Sequence, residues 1–250
     1  MTVTRLLCLP LLALAPLMLA ACDDAATTEG GAGPAGEALP AIAAPAGSQW
    51  ADTVTVSPEG GYVVGNPDAP LKLVEYASHT CSHCATFAKS GKPALKDKYV
   101  STGVVSFELR EVFLNPFDVV IAGLAQCGAK EQMQPLSDQV WQNLESVFTG
   151  LQGNQQAVEA ASQLPINQRF AAIAEATGLL EFFAARGLSA DQGRACLSDA
   201  ARIEALVKTV EANNAKDKIT GTPTFFLNGK RLEGTTWEMI EPQLQRAGAR

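Results

Sequence analysis

The 250-residue chain sets 19 Lys and Arg against 26 Asp and Glu, a net charge of −7 and a pI near 4.9. An acidic chain with no Lys/Arg run lacks the basic stripe that a phosphate backbone requires, which excludes nucleic acid as a partner. With 47% hydrophobic and 18% charged residues it has the composition of a globular protein with a sizeable core.

The chain opens on an export signal. Arg5 is the only charge before Asp23, and residues 6–20, LLCLPLLALAPLMLA, are apolar apart from breaks at Pro10 and Pro16. A bilayer span needs about 20 apolar residues, so residues 1–21 read as a secretory signal. Leu19-Ala20-Ala21-Cys22 resembles the bacterial lipobox, which implies a lipid on Cys22 and a membrane anchor. Asp23 and Asp24 resemble the inner-membrane retention signal of enteric lipoproteins, so the expected location is the periplasm, tethered to the inner membrane. Residues 22–50, mostly Ala, Gly and Pro, read as lipid attachment followed by a disordered tether.

Cysteine arithmetic comes next. Of six Cys, Cys8 leaves with the signal and Cys22 takes the lipid. Cys81, Cys84, Cys127 and Cys196 remain, an even number compatible with two disulfides in an exported domain. These are Cys81–Cys84 and, by elimination, Cys127–Cys196, the alternative for the second pair being two buried thiols. Closing a loop of about 70 residues would contribute roughly 4 kcal/mol.

Residues 61–78 hold a turn at Asn66-Pro67-Asp68 and then a strand from Leu71 to Ala77. Leu71, Leu73 and Glu75 share one face, and Lys72, Val74 and Tyr76 the other, so Glu75 stands where alternation expects an apolar residue. After Thr80 the pattern becomes helical, with a kink or break expected at Gly91-Lys92-Pro93. Residues 104–113 form a second strand with Val105, Phe107 and Leu109 on one face. From Phe117 to about Asn214 the texture is helical, with breaks expected at Gly128, Pro135, Gly150–Gly153, Pro165, Gly178 and Gly187, and Ser189 as an N-cap. GTPTFFLNGKRLEG (221–234) reads as a hairpin turning at Asn228-Gly229, and residues 235–248 as a closing helix capped by Thr235 or Thr236. The simplest architecture is α/β, interrupted by a helical insertion.

Within this order EYASHTCSHCATF (75–87) holds both histidines of the chain and a Cys-x-x-Cys at a strand-to-helix junction. At a helix N-terminus the sulfur of Cys81 meets unsatisfied N–H groups and the positive end of the macrodipole. Both favour the thiolate, which is the nucleophile. His79 and His83 also share spacings used by zinc ligands. Four ligands interleaved in six residues cannot readily aim at tetrahedral corners, so no metal is expected; a copper- or zinc-binding lipoprotein is the alternative from another class.

The C-S-H-C helix start, Glu75 six residues upstream and Thr222-Pro223 before a Phe-rich strand resemble the DsbA-type thiol:disulfide oxidoreductases of the thioredoxin superfamily. The resemblance spans roughly residues 60–245, and Ser82 departs from it where the best-known members carry Pro. It implies a thioredoxin-like fold, with domain parts at 51–116 and 215–250 and an inserted helical domain at 117–214. Cys81 then attacks and Cys84 resolves, His83 adds charge or an N–H donor toward Cys81, and Glu75 is a buried proton carrier for Cys84. Thr222 and Pro223 form a cis-proline loop that pairs with an extended substrate. His79 has no implied role and is expected at the solvent or merely near the site. The implied activity is an oxidase that donates disulfides to reduced exported proteins, with an isomerase or reductase as the alternative. It needs no dissociable cofactor, acts as a monomer, and is reoxidised by a membrane quinone-linked partner.

Overall fold

The structure is a computed structural model that describes residues 36–250; the expected signal and Cys22 lie outside them. Six strands form one sheet: β1 (Val54–Val56), β2 (Tyr62–Val64), β3 (Leu71–Ala77), β4 (Val105–Glu111), β5 (Thr224–Leu227) and β6 (Lys230–Arg231). Their order is β1-β2-β4-β3-β5-β6, with β3 and β4 parallel and every other pair antiparallel. The parallel pair needs a crossover, supplied by α1 (Ser82–Leu95) and the π-helical turn Lys96–Val100.

Cross-strand neighbours share a face, which fixes what surrounds Glu75. It stands opposite Leu109 on β4 and Phe225 on β5. Phe225 stacks on Phe87 of α1, at 4.6 Å between ring centroids. Phe87 in turn faces Trp237 of the last helix, α10 (Trp237–Arg246). Glu75 therefore lies in the main core, between the sheet and the helix that starts at the cysteines.

Eight helices separate β4 from β5. They are α2 (Pro116–Ala125), α3 (Lys130–Gln142), α4 (Leu144–Gly153), α5 (Gln155–Ser162), α6 (Ile166–Ala176), α7 (Leu179–Ala184), α8 (Ala190–Ser198) and α9 (Ala200–Lys216). Capping boxes start α2, where Asn115 is paired with Asp118, and α8, where Ser189 is paired with Gln192. Cys127, just after α2, and Cys196, on α8, are joined by a disulfide.

Three sequence expectations change. Pro93 and Pro135 lie inside α1 and α3 and do not end them. A proline in a helix removes one N–H and leaves one carbonyl unpartnered; on α1 that carbonyl belongs to Lys89, an exposed residue. Of the break expected over Gly150–Gly153, α4 ends at Gly153, while Gly150 sits inside it, where an added Cβ would come 2.5 Å from the Thr177 carbonyl oxygen, a close-approach glycine. Residues 36–49 are irregular but pinned to the domain, which shortens the expected tether. The N–H groups of Leu39 and Ile42 donate to the carbonyls of Gly248 and Thr102, and Arg250 donates to Gly36.

The hairpin turn at Asn228-Gly229 has both residues at positive φ, 49° and 78°, as a two-residue turn between twisted strands requires. The Asn228 amide also receives the Lys72 N–H and donates to Pro70, tying the hairpin to β3. This holds the segment before β5, Gly221-Thr222-Pro223, against the cysteine helix.

Candidate active site

Cys81 is the N-cap of α1. Its sulfur accepts the backbone N–H of Cys84 at 3.3 Å and lies 3.4 Å from the Thr222 carbonyl, to which the thiol form donates. The Thr222-Pro223 bond is cis. Cys81 is 8% exposed and Cys84 wholly buried, so an incoming sulfur reaches Cys81 first.

Electrostatics separate the two thiols further. Hydrogen bonding from the Cys84 thiol, helped by the Thr222 side chain and the N–H groups of Cys84 and His83, outweighs burial and brings Cys81 from 9.0 down to about 5. At pH 7 that is two units above its pKa, worth about 3 kcal/mol of preference for the thiolate at roughly 1.4 kcal/mol per unit. Burial, then the bond to Cys81 and the charge of Glu75, push Cys84 strongly upward. One sulfur is a poised nucleophile and the other holds its proton.

Glu75 is fully buried, and neither carboxylate oxygen has a hydrogen-bond partner among the described residues. Burial raises it from 4.5 to about 8, against the opposing charge of Lys92 and with reinforcement from Asp138 and Cys81. A carboxyl titrating there can carry a proton near neutrality. Lys92 is itself buried, donates to Asp138 at 2.8 Å, and borders a cavity of about 590 Å³ between α1, α3 and the β1–β2 edge.

His83 is exposed. It contributes its backbone N–H to the Cys81 sulfur, while no described hydrogen bond joins its imidazole to that sulfur. Of the two expectations for His79 the structure removes the solvent-exposed one: it lies near the site but is 1% exposed. Its ring lies between Glu111 and Ser137 and stacks on Trp141. The two histidines therefore part company, one into the core and one to the solvent, and the interleaved His/Cys set does not converge on a metal.

Sequence reasoning missed Lys92, Asp138, Ser137 and Trp141. For Lys92 a signal existed: with Cys84 and Ala88 it completes an i, i+4, i+8 stripe that is otherwise buried and uncharged. The α3 residues gave no such signal, because their partners lie 46 to 63 positions away. Two shallow clefts of about 440 and 460 Å³ flank the cysteines; the first includes Thr80, the second Ser82, and Phe148 and Gln152 border both.

A parallel-centred sheet, a Cys-x-x-Cys at a helix start and a facing cis-proline define a thioredoxin-fold dithiol protein, here DsbA-like in its helical insertion. The family described as thioredoxin matches residues 57–246, and the chain belongs to it. A Rickettsia bellii protein named "Putative protein-disulfide oxidoreductase" is 26% identical over 76% of this chain, but the match spans only 65% of that relative's length. The crystal structure of protein-disulfide isomerase from Novosphingobium aromaticivorans superposes with a TM-score of 0.67 at 28% identity, over 73% of this chain and 94% of that one. Wolbachia pipientis alpha-DsbA1 shares the fold, with a TM-score of 0.59 at 22% identity, over 77% of this chain and 94% of that one.

Proposed function

We propose that the protein is a thiol:disulfide oxidoreductase that works as an oxidase, passing the Cys81–Cys84 disulfide to reduced exported proteins. The observation that carries this reading is Cys81 itself, at a helix N-cap with its pKa near 5. A stabilised thiolate favours the reduced dithiol, so the disulfide gives up its bond readily. The preference of about 3 kcal/mol at pH 7 corresponds to roughly 60 mV in the oxidising direction for a two-electron couple.

In the forward reaction a substrate thiolate attacks the Cys81 sulfur, and the Cys81–Cys84 bond breaks. Cys84 leaves as a thiolate and takes a proton, for which Glu75 is the donor. A second substrate thiolate then attacks the substrate's own sulfur in the mixed disulfide. Cys81 departs as a stable thiolate, the substrate is oxidised and the enzyme reduced. The backbone of Thr222, beside the Cys81 sulfur, supports edge pairing with an extended substrate chain. Reoxidation by a membrane quinone-linked partner completes the cycle.

Equilibration with glutathione tests the reading. The Cys81–Cys84 couple is expected to lie above roughly −200 mV, whereas a value near thioredoxin's roughly −270 mV would make it a reductase. The name of the Novosphingobium neighbour favours a second reading, disulfide isomerase; a stable dimer or trimer in light scattering would favour that reading over a monomeric oxidase.

The lipid on Cys22 and the periplasmic, inner-membrane location belong to the same proposal, supported by the Leu-Ala-Ala-Cys sequence. In fractionated cells Cys22→Ser is expected to move the protein from membrane to soluble fraction. Unsubstituted protein found wholly soluble would remove the anchor from the proposal.

A further inference from the structure

Three residues lead from β3 into the cysteine helix, and each is held from outside. The Ser78 carbonyl accepts the Cys81 N–H at 3.2 Å and the Trp141 indole N–H at 3.0 Å. The Ser78 hydroxyl and the Thr80 N–H donate to Asp118 at 2.9 and 3.0 Å. Between them His79 sets Nε2 2.9 Å from the Ser137 hydroxyl and Nδ1 3.3 Å from the Glu111 carboxylate, with its ring 5.1 Å from Trp141 and nearly coplanar. Only Glu111 belongs to the sheet. Asp118 is on α2, and Ser137 and Trp141 lie one turn apart on α3, so the insertion grips the turn that presents Cys81.

A buried imidazole is costly unless its nitrogens are partnered, and a plain apolar side chain would fill the same space. Ser137, His79 and Glu111 have the order of a hydrolytic triad, but Ser137 is wholly buried and no substrate can reach it. The groups around His79 come from every neighbouring element: Glu111 on β4, Asp118 on α2, and Ser137 and Trp141 on α3, with Lys92 of α1 4.3 Å from that tryptophan ring. The Ser137 hydrogen bond on one side, the Glu111 carboxylate close to Nδ1 but not hydrogen-bonded to it on another, and the Trp141 stack on a third fix both the position and the rotation of the ring.

We propose that His79 is a positioning residue for Cys81: through Ser137 and Glu111 it locks residues 78–80, and so sets the N-cap geometry in which the Cys84 N–H meets the Cys81 sulfur. The inference rests on the reading of Cys81 as the attacking thiolate. A turn freed of this lock lengthens the N–H to sulfur contacts, and the thiolate loses preference over the thiol. The chemistry itself stays with the two cysteines.

Thiolate absorbance against pH, on reduced full-length protein, is the test. The wild-type titration checks the reading of Cys81, and the difference between variant and wild type checks the role of His79. His79→Leu, which keeps the volume but not the two polar contacts, is expected to raise the Cys81 pKa by about one unit, a tenfold loss of thiolate preference. His79→Gln, with an amide able to meet both partners, is expected to recover most of it. Ser137→Ala removes one partner and is expected to give a smaller shift in the same direction, and it decides the matter if His79→Leu does not fold. Folded variants with an unchanged Cys81 titration, whatever their melting points, would reduce the cluster to packing and overturn the proposal.

Discussion

Cys84→Ala is expected to turn the protein into a trap for oxidised substrates: the Cys81 thiolate attacks a substrate disulfide, one substrate sulfur leaves as a thiolate, the mixed disulfide accumulates on Cys81, and turnover disappears because no Cys81–Cys84 disulfide can form. With no Cys84 to attack the Cys81 sulfur, that mixed disulfide reopens only when the released substrate thiol or an added thiol attacks it. The variant also loses the Cys84 thiol, the largest of the groups that lower Cys81. The backbone N–H groups of residues 84 and 83 survive the substitution, so the Cys81 pKa is expected to rise but to stay below the free value of about 8.5. A thiol with a pKa near 5 is about 99% thiolate at pH 7, against about 3% for a free cysteine. Cys81→Ala keeps only the buried Cys84, whose pKa is pushed upward, and has no disulfide to donate, so it is expected to lose activity altogether and to trap nothing. Non-reducing electrophoresis after rapid alkylation, with mass spectrometry of the adducts, reads both results. Adducts on Cys84 in the Cys81→Ala protein, equal to those on Cys81 in the other, would reverse the assignment of roles.

Glu75→Gln is expected to stabilise the oxidised protein while slowing exchange. The folded carboxyl titrates near 8 and the unfolded one near 4.5. Between these values the unfolded chain has released the proton that the folded chain keeps, so the wild type loses stability as pH rises. The slope is about 1.4 kcal/mol per pH unit. Below pH 4.5 both states are protonated and the effect vanishes; above 8 it reaches its full size of roughly 5 kcal/mol. At pH 7 the Gln variant is expected to gain about 3.5 kcal/mol over wild type. Urea unfolding of oxidised protein across this range isolates the effect, because the disulfide removes both thiol titrations. The same variant has no proton to give the departing Cys84, and a rate loss of about a hundredfold is expected from a lost general acid. Parallel stability profiles for the two proteins would mean that Glu75 does not hold its proton in the folded state.

The parts of the site that chemistry demands locally were legible in the sequence. Cys81 and Cys84 stand at a change from period two to helical texture, Asn228-Gly229 can be little other than a tight turn, and Glu75 interrupts an apolar face. The parts set by distant packing were not. His79 looks like a loop residue because its partners, Ser137 and Glu111, are separated from it by 58 and 32 positions. β1 and β2 have three residues each, too few for alternation to register; β2 pairs on β4 and β1 on β2. Residues 36–49 have the composition of a free linker, and only their bonds to residues near 102 and 248 reveal otherwise. Pro135 carries the local mark of a helix end, which the packing of α3 overrides.

The grip of the insertion on residues 78–80 has a consequence for the order of events as the chain folds. Cys81 and Cys84 precede in sequence every group that holds their turn: Ser78 waits 40 positions for Asp118 and 63 for Trp141, and Cys81 waits 141 for Thr222. Such distant closures form late, because loop entropy must be overcome before they are rewarded. A chain made from its N-terminus onward thus presents both thiols before the packing that fixes their turn. The outer hold on the turn is completed last, when the C-terminal hairpin brings Thr222 beside Cys81, so an unfinished molecule carries the pair with only the Cys84 thiol and the local N–H groups in place.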